Sequence, residues 1–234
     1  MRLTTLDSEL LRYIIENGFR PGDRLPTLEQ ISTSLGVSIA KLREELGLAR
    51  GLRIVEVKPG SGTRVAAYSF APAVSASALY AIGQDPDAFG ALGEMRAALE
   101  VAFWEQAVAR LTKTDIQILQ ETTREAHERL SRSPIQVPAA EHRRFHLTIF
   151  SKVGNPFVLG VLEAYWDAYD AFGLGLYADL DYLHTVWGYH EGIANCIAAG
   201  DNEQGRRLLD EHMQLLRHRA DTPPRGDTRR GRFE

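Results

Sequence analysis

The sequence has little cysteine and no long apolar run. Cys196 is the single cysteine among the 234 residues, which excludes a disulfide within the chain and fits a reducing compartment. No apolar run approaches the roughly 20 residues that a membrane-spanning helix needs. Asp7, Glu9 and Glu16 stand where a signal peptide would be uncharged. We therefore expect a cytoplasmic protein with no membrane partner.

The chain also lacks a large excess of charge of either sign, because the net charge is only −4. Residues 1–70 hold ten Lys and Arg against eight Asp and Glu, whereas residues 71–220 hold thirteen against twenty. The N-terminal part is mildly basic and the rest is acidic. A positive N-terminal part is expected of a DNA-binding module that is attached to an acidic domain. The difference is too small to establish DNA binding by itself.

Residues 25–46, LPTLEQISTSLGVSIAKLREEL, predict two short helices that form a helix-turn-helix. Gly36 supplies a residue that tolerates a positive φ at the turn, and Ser38 is placed to cap the second helix. Lys41 and Arg43 then lie on the outward face of that recognition helix, toward a major groove. We expect the helix to be short, because Gly47 interrupts it.

The following segment, GLRIVEVKPGSGTRVAA, predicts a two-stranded wing with a Gly-rich tip. Backbone amides and cations at such a tip can approach phosphate. A small α+β domain that binds no DNA is the alternative, since short helix-turn-helix patterns also arise by chance. The predicted DNA-contacting residues are Ser38, Lys41, Arg43, Arg50, Lys58, Gly62 and Arg64.

Beyond the wing, the stretch 66–78 is rich in small residues, and every later pattern is helical. We predict a mainly α protein, in which an N-terminal winged helix-turn-helix domain precedes an all-α antiparallel bundle of six or seven helices. The predicted helical segments are 86–110, 112–131, 137–152, 155–172, 179–199 and 201–220. The predicted parts are the DNA-binding domain 1–68, a linker and start of the bundle 69–78, the ligand-binding and metal-binding bundle 79–220 and a disordered tail 221–234.

The N-terminal part resembles the winged helix-turn-helix domain of GntR-type bacterial transcription regulators. The resemblance lies in GFRPGDRLPT, GVSIAKLREEL and VKPGSGTRV, and it implies binding to double-stranded operator DNA. Members of that family usually carry arginines where this chain has Glu29 and Ile39, so that Arg43 is the one retained. Because a glutamate repels phosphate, a protein that has lost DNA binding is an alternative.

His142 and His146 lie four residues apart, so on a helix their rings emerge from one face about 6 Å apart. That spacing suits two imidazoles that share one transition metal. His190 and His212 lie among apolar residues of two later helices, and if they point into the bundle the four imidazoles would complete a site suited to zinc, nickel or a similar borderline ion. A solvated helix face is the alternative, which the two arginines between the first pair favour.

The bundle resembles the FCD ligand-sensing domain of the FadR subfamily, through MRAALE, HRRFHLTIFSKVGNPFVL and YHEGIANCIAAGDNEQGRRLLDEHM. In metal-binding members the ligands are the Asp and His of a DxxxH motif and two later histidines. The resemblance therefore implies the same four histidines as ligands, with His142 in place of the usual aspartate.

The same resemblance implies that Arg96 contacts the carboxylate of an effector, which its guanidinium can bind through two hydrogen bonds. A surface ion pair with Glu100, four residues further on, is an equally good interpretation. Asn155 is a second candidate for the effector site, although capping of the next helix explains it more simply.

These features together predict a ligand-responsive transcription regulator, a repressor, that binds a palindromic operator as a homodimer and senses a small organic acid. A metal-dependent hydrolase or isomerase is the rival, since an open metal position can activate water. No general base is evident near the four histidines, and an enzyme would not need the helix-turn-helix.

Overall fold

The computed structural model describes residues 6–58, 60–172 and 179–220, and the chain divides into two compact units, residues 1–77 and the remainder. The prediction of a mainly α fold is confirmed. In chain order the elements are α1 (Glu9–Glu16), α2 (Leu28–Leu35), α3 (Ile39–Gly51), β1 (Val55–Lys58), β2 (Gly62–Val65), α4 (Ala71–Gln84), α5 (Ala88–Ala102), α6 (Trp104–Val108), α7 (Lys113–Leu130), α8 (Ala139–Phe150), α9 (Pro156–Ala171), α10 (Leu180–Ala199) and α11 (Asn202–Ala220).

The N-terminal unit packs α1, α2, α3 and the strand pair around one apolar core. Gly36 ends α2 with a φ of 68°, a left-handed conformation that favours glycine, so the predicted hinge is confirmed. Ser38 caps α3 by accepting a hydrogen bond from the Lys41 backbone N–H at 3.2 Å. The buried residues of this core include Leu10, Ile14, Leu25, Ile31, Leu42, Ala49, Val55 and Val65.

The expectation of a short recognition helix is wrong, because α3 continues through Gly47 and has 13 residues. Leu42, Glu45 and Ala49 are buried on one side of it. A glycine costs a helix only about 1 kcal/mol relative to alanine, and tertiary packing of the inner face outweighs that cost. Because α3 extends to Gly51, β1 begins only at Val55, although the apolar alternation in LRIVEVK begins at Leu52. Strand β1 pairs antiparallel with β2.

In the second unit the helices α5 to α11 enclose a core that includes Trp104, Phe145, Phe150 and Leu162. The predicted segment 86–110 forms two helices, because Phe103 separates α5 from α6. Helix α4 covers most of the segment predicted as the linker and start of the bundle. The predicted tail 221–234 lies outside the described residues. Among the helices that the structure describes, none is long and apolar enough to cross a membrane.

Candidate functional site

The four predicted metal ligands meet inside the helical unit. His142 and His146 project from α8, His190 from α10 and His212 from α11, and their candidate ligand nitrogens all lie within 4.8 Å of one another. The exposed fraction of the His142 side chain is 7%, and the other three are 0% exposed. The interpretation of the α8 histidines as a solvated face is therefore wrong.

The arginines of α8 explain how this face turns inward. Arg143 is bound to two carboxylates of α9, with its Nη2 2.8 Å from Asp167 Oδ1. Arg144 donates from Nε to Thr122 Oγ1 of α7 at 2.8 Å and also pairs with Glu125. The two arginines therefore bind the helices on either flank, α9 and α7. The histidines lie on the remaining side of α8, which faces the core.

The buried rings are in the protonation state that binds metal. Burial lowers the pKa of all four histidines well below its usual value, and the charge of Arg96 contributes in the same direction. Neutral imidazole is the form that donates a lone pair to a cation. His142 Nε2, His190 Nδ1 and both ring nitrogens of His212 are buried without a hydrogen-bond partner in the described part of the chain.

The spacing of the nitrogens fits a transition metal. His146 Nε2 and His190 Nε2 are 3.0 Å apart. Four nitrogens arranged tetrahedrally at the usual zinc distance are about 3.3 Å from one another, so this pair needs almost no movement. The most distant nitrogens, 4.8 Å apart, would have to approach by about 1.5 Å. The donor set therefore fits a borderline metal ion after small side-chain rotations.

Glu100 and Arg96 of α5 lie next to this cluster and are both completely buried. Arg96 Nε donates to Glu100 Oε1 at 2.7 Å, and Glu100 Oε2 lies 2.8 Å from His146 Nδ1. Burial raises the pKa of Glu100, and the adjacent guanidinium opposes that shift. Arg96 therefore pairs with Glu100 as the spacing predicted, but the pair lies in the interior and not on the surface.

Aromatic rings hold the guanidinium from the α9 side. The Cζ atom of Arg96 lies 4.5 Å from the centre of the Tyr165 ring and 4.7 Å from that of Trp166. The Trp166 ring also packs edge-on against His142, with 4.7 Å between the ring centres. Arg96 Nη1 and Nη2 and Trp166 Nε1 are buried without a hydrogen-bond partner among the described residues. These three donors are available to an anion.

Asn155 serves as the N-cap of α9. Its Oδ1 accepts hydrogen bonds from the backbone N–H groups of Phe157 at 3.0 Å and Val158 at 3.3 Å. Trp166, which reaches the histidines, lies three turns further along the same helix, a rise of about 16 Å. The geometry therefore favours the capping interpretation over contact with an effector.

Sequence reasoning missed the position of Glu100 beside the cluster. We expected no general base near the four histidines, yet this carboxylate touches His146. Its two oxygens are engaged by Arg96 Nε and His146 Nδ1, so it offers no free oxygen as a general base. The available signal was the placement of Arg96 and Glu100 one turn apart on a mostly apolar helix.

The predicted DNA-contacting residues lie on the surface of the N-terminal unit. The side chains of Lys41 and Lys58 are 50% and 68% exposed. Lys41 lies 3.7 Å from Glu9 and 3.9 Å from Glu45, and Lys58 lies 3.3 Å from Glu56, so their ion pairs are loose. Arg43 and Arg50 are exposed on α3 and take part in no salt bridge within the described ranges. The recognition helix thus presents cations to solvent, as contact with phosphate requires.

The wing is held against the chain before α2. Arg64 Nη1 donates to the Gly22 carbonyl at 2.8 Å, so this arginine is partly engaged within the protein. Gly62 has a φ of 80°, and a Cβ atom there would lie 3.0 Å from Arg24 Nε. A larger residue at position 62 would therefore displace Arg24 from the wing.

Glu29 lies in the first turn of α2, where its carboxylate faces solvent. A hydrogen bond from its own backbone N–H lowers the pKa of Glu29, and Thr27 and Arg43 contribute to the shift. The negative charge is therefore present at neutral pH and partly offsets the charge of Arg43. Ile39 is half-buried at the start of α3.

Comparison with known proteins matches both units to families. The FCD domain family matches residues 91–215, and the gntR family of bacterial regulatory proteins matches residues 4–65. The chain belongs to the GntR regulators with an FCD domain. This GntR-family protein is a transcription regulator with a ligand-binding domain, like the regulators that it matches along most of their length.

Full-length relatives support the same two-domain organisation. The Uxu operon regulator of Haemophilus influenzae is 28% identical over 92% of this chain and 81% of its own length. The regulator LutR of Bacillus subtilis is 22% identical over 86% of this chain and 93% of its own. The structure of a GntR protein from Streptococcus agalactiae has a TM-score of 0.65 and 20% identity, and it covers 93% of this chain and 99% of that one. That structural similarity shows a shared fold.

Proposed function

We propose that this GntR-family protein is a repressor that responds to a small organic acid bound next to a metal ion. The observation that carries the proposal is the buried cluster of four histidines beside the free Nη atoms of Arg96. A cation site and a carboxylate donor in one apolar interior suit a small anionic ligand. The proposed ligands of the ion are His142, His146, His190 and His212.

Zinc or nickel fits the donor set better than a hard cation does. All four side chains are imidazoles, whereas magnesium, calcium and manganese prefer oxygen ligands. The proposed role of the ion is to hold α8, α10 and α11 together and to anchor the acid. No bond of the effector is broken.

The effector would place its carboxylate between the metal ion and Arg96. The positive charge of Arg96 lowers the pKa of every histidine in the cluster, which indicates that the guanidinium and the rings share one electrostatic environment. A guanidinium with two free Nη atoms can bind a carboxylate through two parallel hydrogen bonds. An acid that binds one arrangement of the protein better than another would shift its operator affinity.

The DNA-binding surface in this proposal comprises Ser38, Lys41, Arg43, Arg50, Lys58, Gly62 and Arg64. A homodimer would present two α3 helices to the half-sites of a palindromic operator. The proposed site of action is the cytoplasm, where chromosomal DNA lies. Arg43 and Arg50 are the cations of the set whose side chains neither a salt bridge nor a hydrogen bond engages in the described chain, whereas Arg64 donates to Gly22, so these two are the most available for phosphate or bases.

A gel-shift titration on DNA from upstream of the gene tests the operator. Arg43→Ala should weaken binding about 10-fold to 100-fold and lower the salt dependence, since an arginine contact contributes about 1–3 kcal/mol. Arg207→Ala on α11, an exposed arginine of the other unit, is the matched control and should bind like the wild type. If the folded wild type shifts no DNA, the alternative of a sensor without DNA binding is favoured.

A further inference from the structure

Glu100 connects the two halves of the proposed ligand site. Its Oε1 accepts from Arg96 Nε at 2.7 Å, and its Oε2 lies 2.8 Å from His146 Nδ1. All three side chains are 0% exposed. Water therefore cannot replace either partner, and both oxygens of the carboxylate are committed to named donors.

The hydrogen bond to Glu100 decides which nitrogen of His146 is free. When Nδ1 carries the proton and donates it to the carboxylate, the lone pair of the ring is on Nε2. That atom is the one that lies 3.0 Å from His190 Nε2, inside the cluster. The carboxylate thus orients the ring so that its donor atom points toward the other candidate ligands.

Glu100 is placed differently from Glu141, a second buried glutamate of the helical unit. Glu141, the sequence neighbour of His142, pairs with Arg129, whose Nε lies 2.6 Å from its Oε1. Among the carboxylates that the structure describes, Glu100 is the one within ion-pair and hydrogen-bond distance of a ring of the cluster, that of His146.

We propose that Glu100 is a positioning residue of the metal site, which fixes the tautomer of His146. This inference rests on the proposed function, since it presupposes a metal ion at the histidines. A carboxylate behind a ligating histidine makes the ring a stronger donor, and loss of such a partner typically lowers metal affinity about 10-fold to 100-fold.

Zinc affinity, measured by competition with a chromophoric chelator, tests the role of Glu100. Glu100→Gln should bind Zn²⁺ about 10-fold to 100-fold more weakly than the wild type. Glu141→Gln removes a buried carboxylate that touches no cluster ring and should stay within about threefold, which is the matched control. A folded Glu100→Gln protein with wild-type affinity would overturn the inference and leave the metal site intact. A wild type that binds zinc no better than His190→Ala would overturn the metal site, and this inference with it.

Glu100→Gln leaves the Arg96 charge unpaired, which can unfold the protein. The double variant Arg96→Met/Glu100→Met avoids that problem, because it buries neither charge. It should bind zinc about 10-fold to 100-fold more weakly than the wild type. In ¹⁵N spectra of the metal-free proteins, His146 should be the Nδ1–H tautomer in the wild type and should lose this preference in the double variant. Equal zinc affinities or identical tautomers would contradict the proposal.

Discussion

The two units place their candidate functional residues in opposite environments. In the N-terminal unit the candidate DNA contacts face solvent, as the 50% and 68% exposed side chains of Lys41 and Lys58 show. In the helical unit the four histidines are at most 7% exposed. Recognition of a polyanion depends on accessible charge, whereas capture of a small anion or cation depends on donors that water cannot reach. In the first unit function and core involve separate residues, and in the second they are the same residues.

Each unit nevertheless uses one buried glutamate in a similar way. Glu45 of α3 accepts hydrogen bonds from Ser8 Oγ at 3.0 Å and from the Leu10 backbone N–H at 2.7 Å. It therefore ties the recognition helix to the start of α1. Glu100 ties α5 to α8 through His146. One carboxylate positions a surface for recognition, and the other positions a buried ligand.

The strongest test of this contrast compares two histidines of α10. His190→Ala should reduce Zn²⁺ affinity on the order of 100-fold or more, because a buried ligand is lost from the proposed site. His184→Ala, an exposed position on the same helix, should leave the affinity unchanged. Isothermal titration with zinc measures both. Equal affinities of the two variants would show that the buried cluster is packing and not a metal site.

A smaller effect is expected from Glu45→Gln. Loss of the charged acceptor should weaken the attachment of α1 to α3 by about 1–3 kcal/mol, because hydrogen bonds to a buried charge are lost. Hydrogen exchange at the amides of α1 and α3 should accelerate by a factor that corresponds to this loss of free energy. The neighbouring Glu44→Gln, at an exposed position, is the control, and neither change should alter zinc affinity. Unchanged exchange in Glu45→Gln would mean that the apolar core alone holds α3.

The smallest effect concerns Asp115 at the start of α7. Hydrogen bonds from Lys152 and Thr112 lower the pKa of Asp115 from 3.8 to about 2. A depressed folded-state pKa stabilises the protein above 3.8 and loses that contribution as the pH falls toward about 2. Asp115→Asn should therefore unfold at lower temperature than the wild type near neutral pH, and the difference should shrink in acid.

Thermal unfolding followed by circular dichroism across this pH range measures the Asp115 effect. Asp210→Asn on α11, an exposed carboxylate, is the control for loss of one negative charge. If the difference in unfolding temperature between the wild type and Asp115→Asn stayed constant as the pH fell to about 2, the depressed pKa of Asp115 would not be the source of the stability.

Much of the site was predictable from local patterns. Gly36 marked the hinge of the helix-turn-helix, and the four-residue interval between His142 and His146 placed both rings on one helical face. The apolar neighbours of His190 and His212 indicated them as partners, and the family resemblance supported that choice and added Arg96. These features depend on helical period, on turn stereochemistry and on motif spacing, all of which are properties of neighbouring residues.

The tertiary structure decided what local patterns leave open. It determined that the histidine face of α8 is buried, that Gly47 lies within a continuous α3 and that Asn155 caps α9. It also placed Glu100 on His146 across 46 residues of sequence. Periodicity specifies which residues share a face, but the partner of that face depends on how distant helices pack. The amino-acid sequence by itself therefore determined the elements, the family and the candidate ligands, and only the tertiary contact between Glu100 of α5 and His146 of α8 revealed the carboxylate that orients one of them.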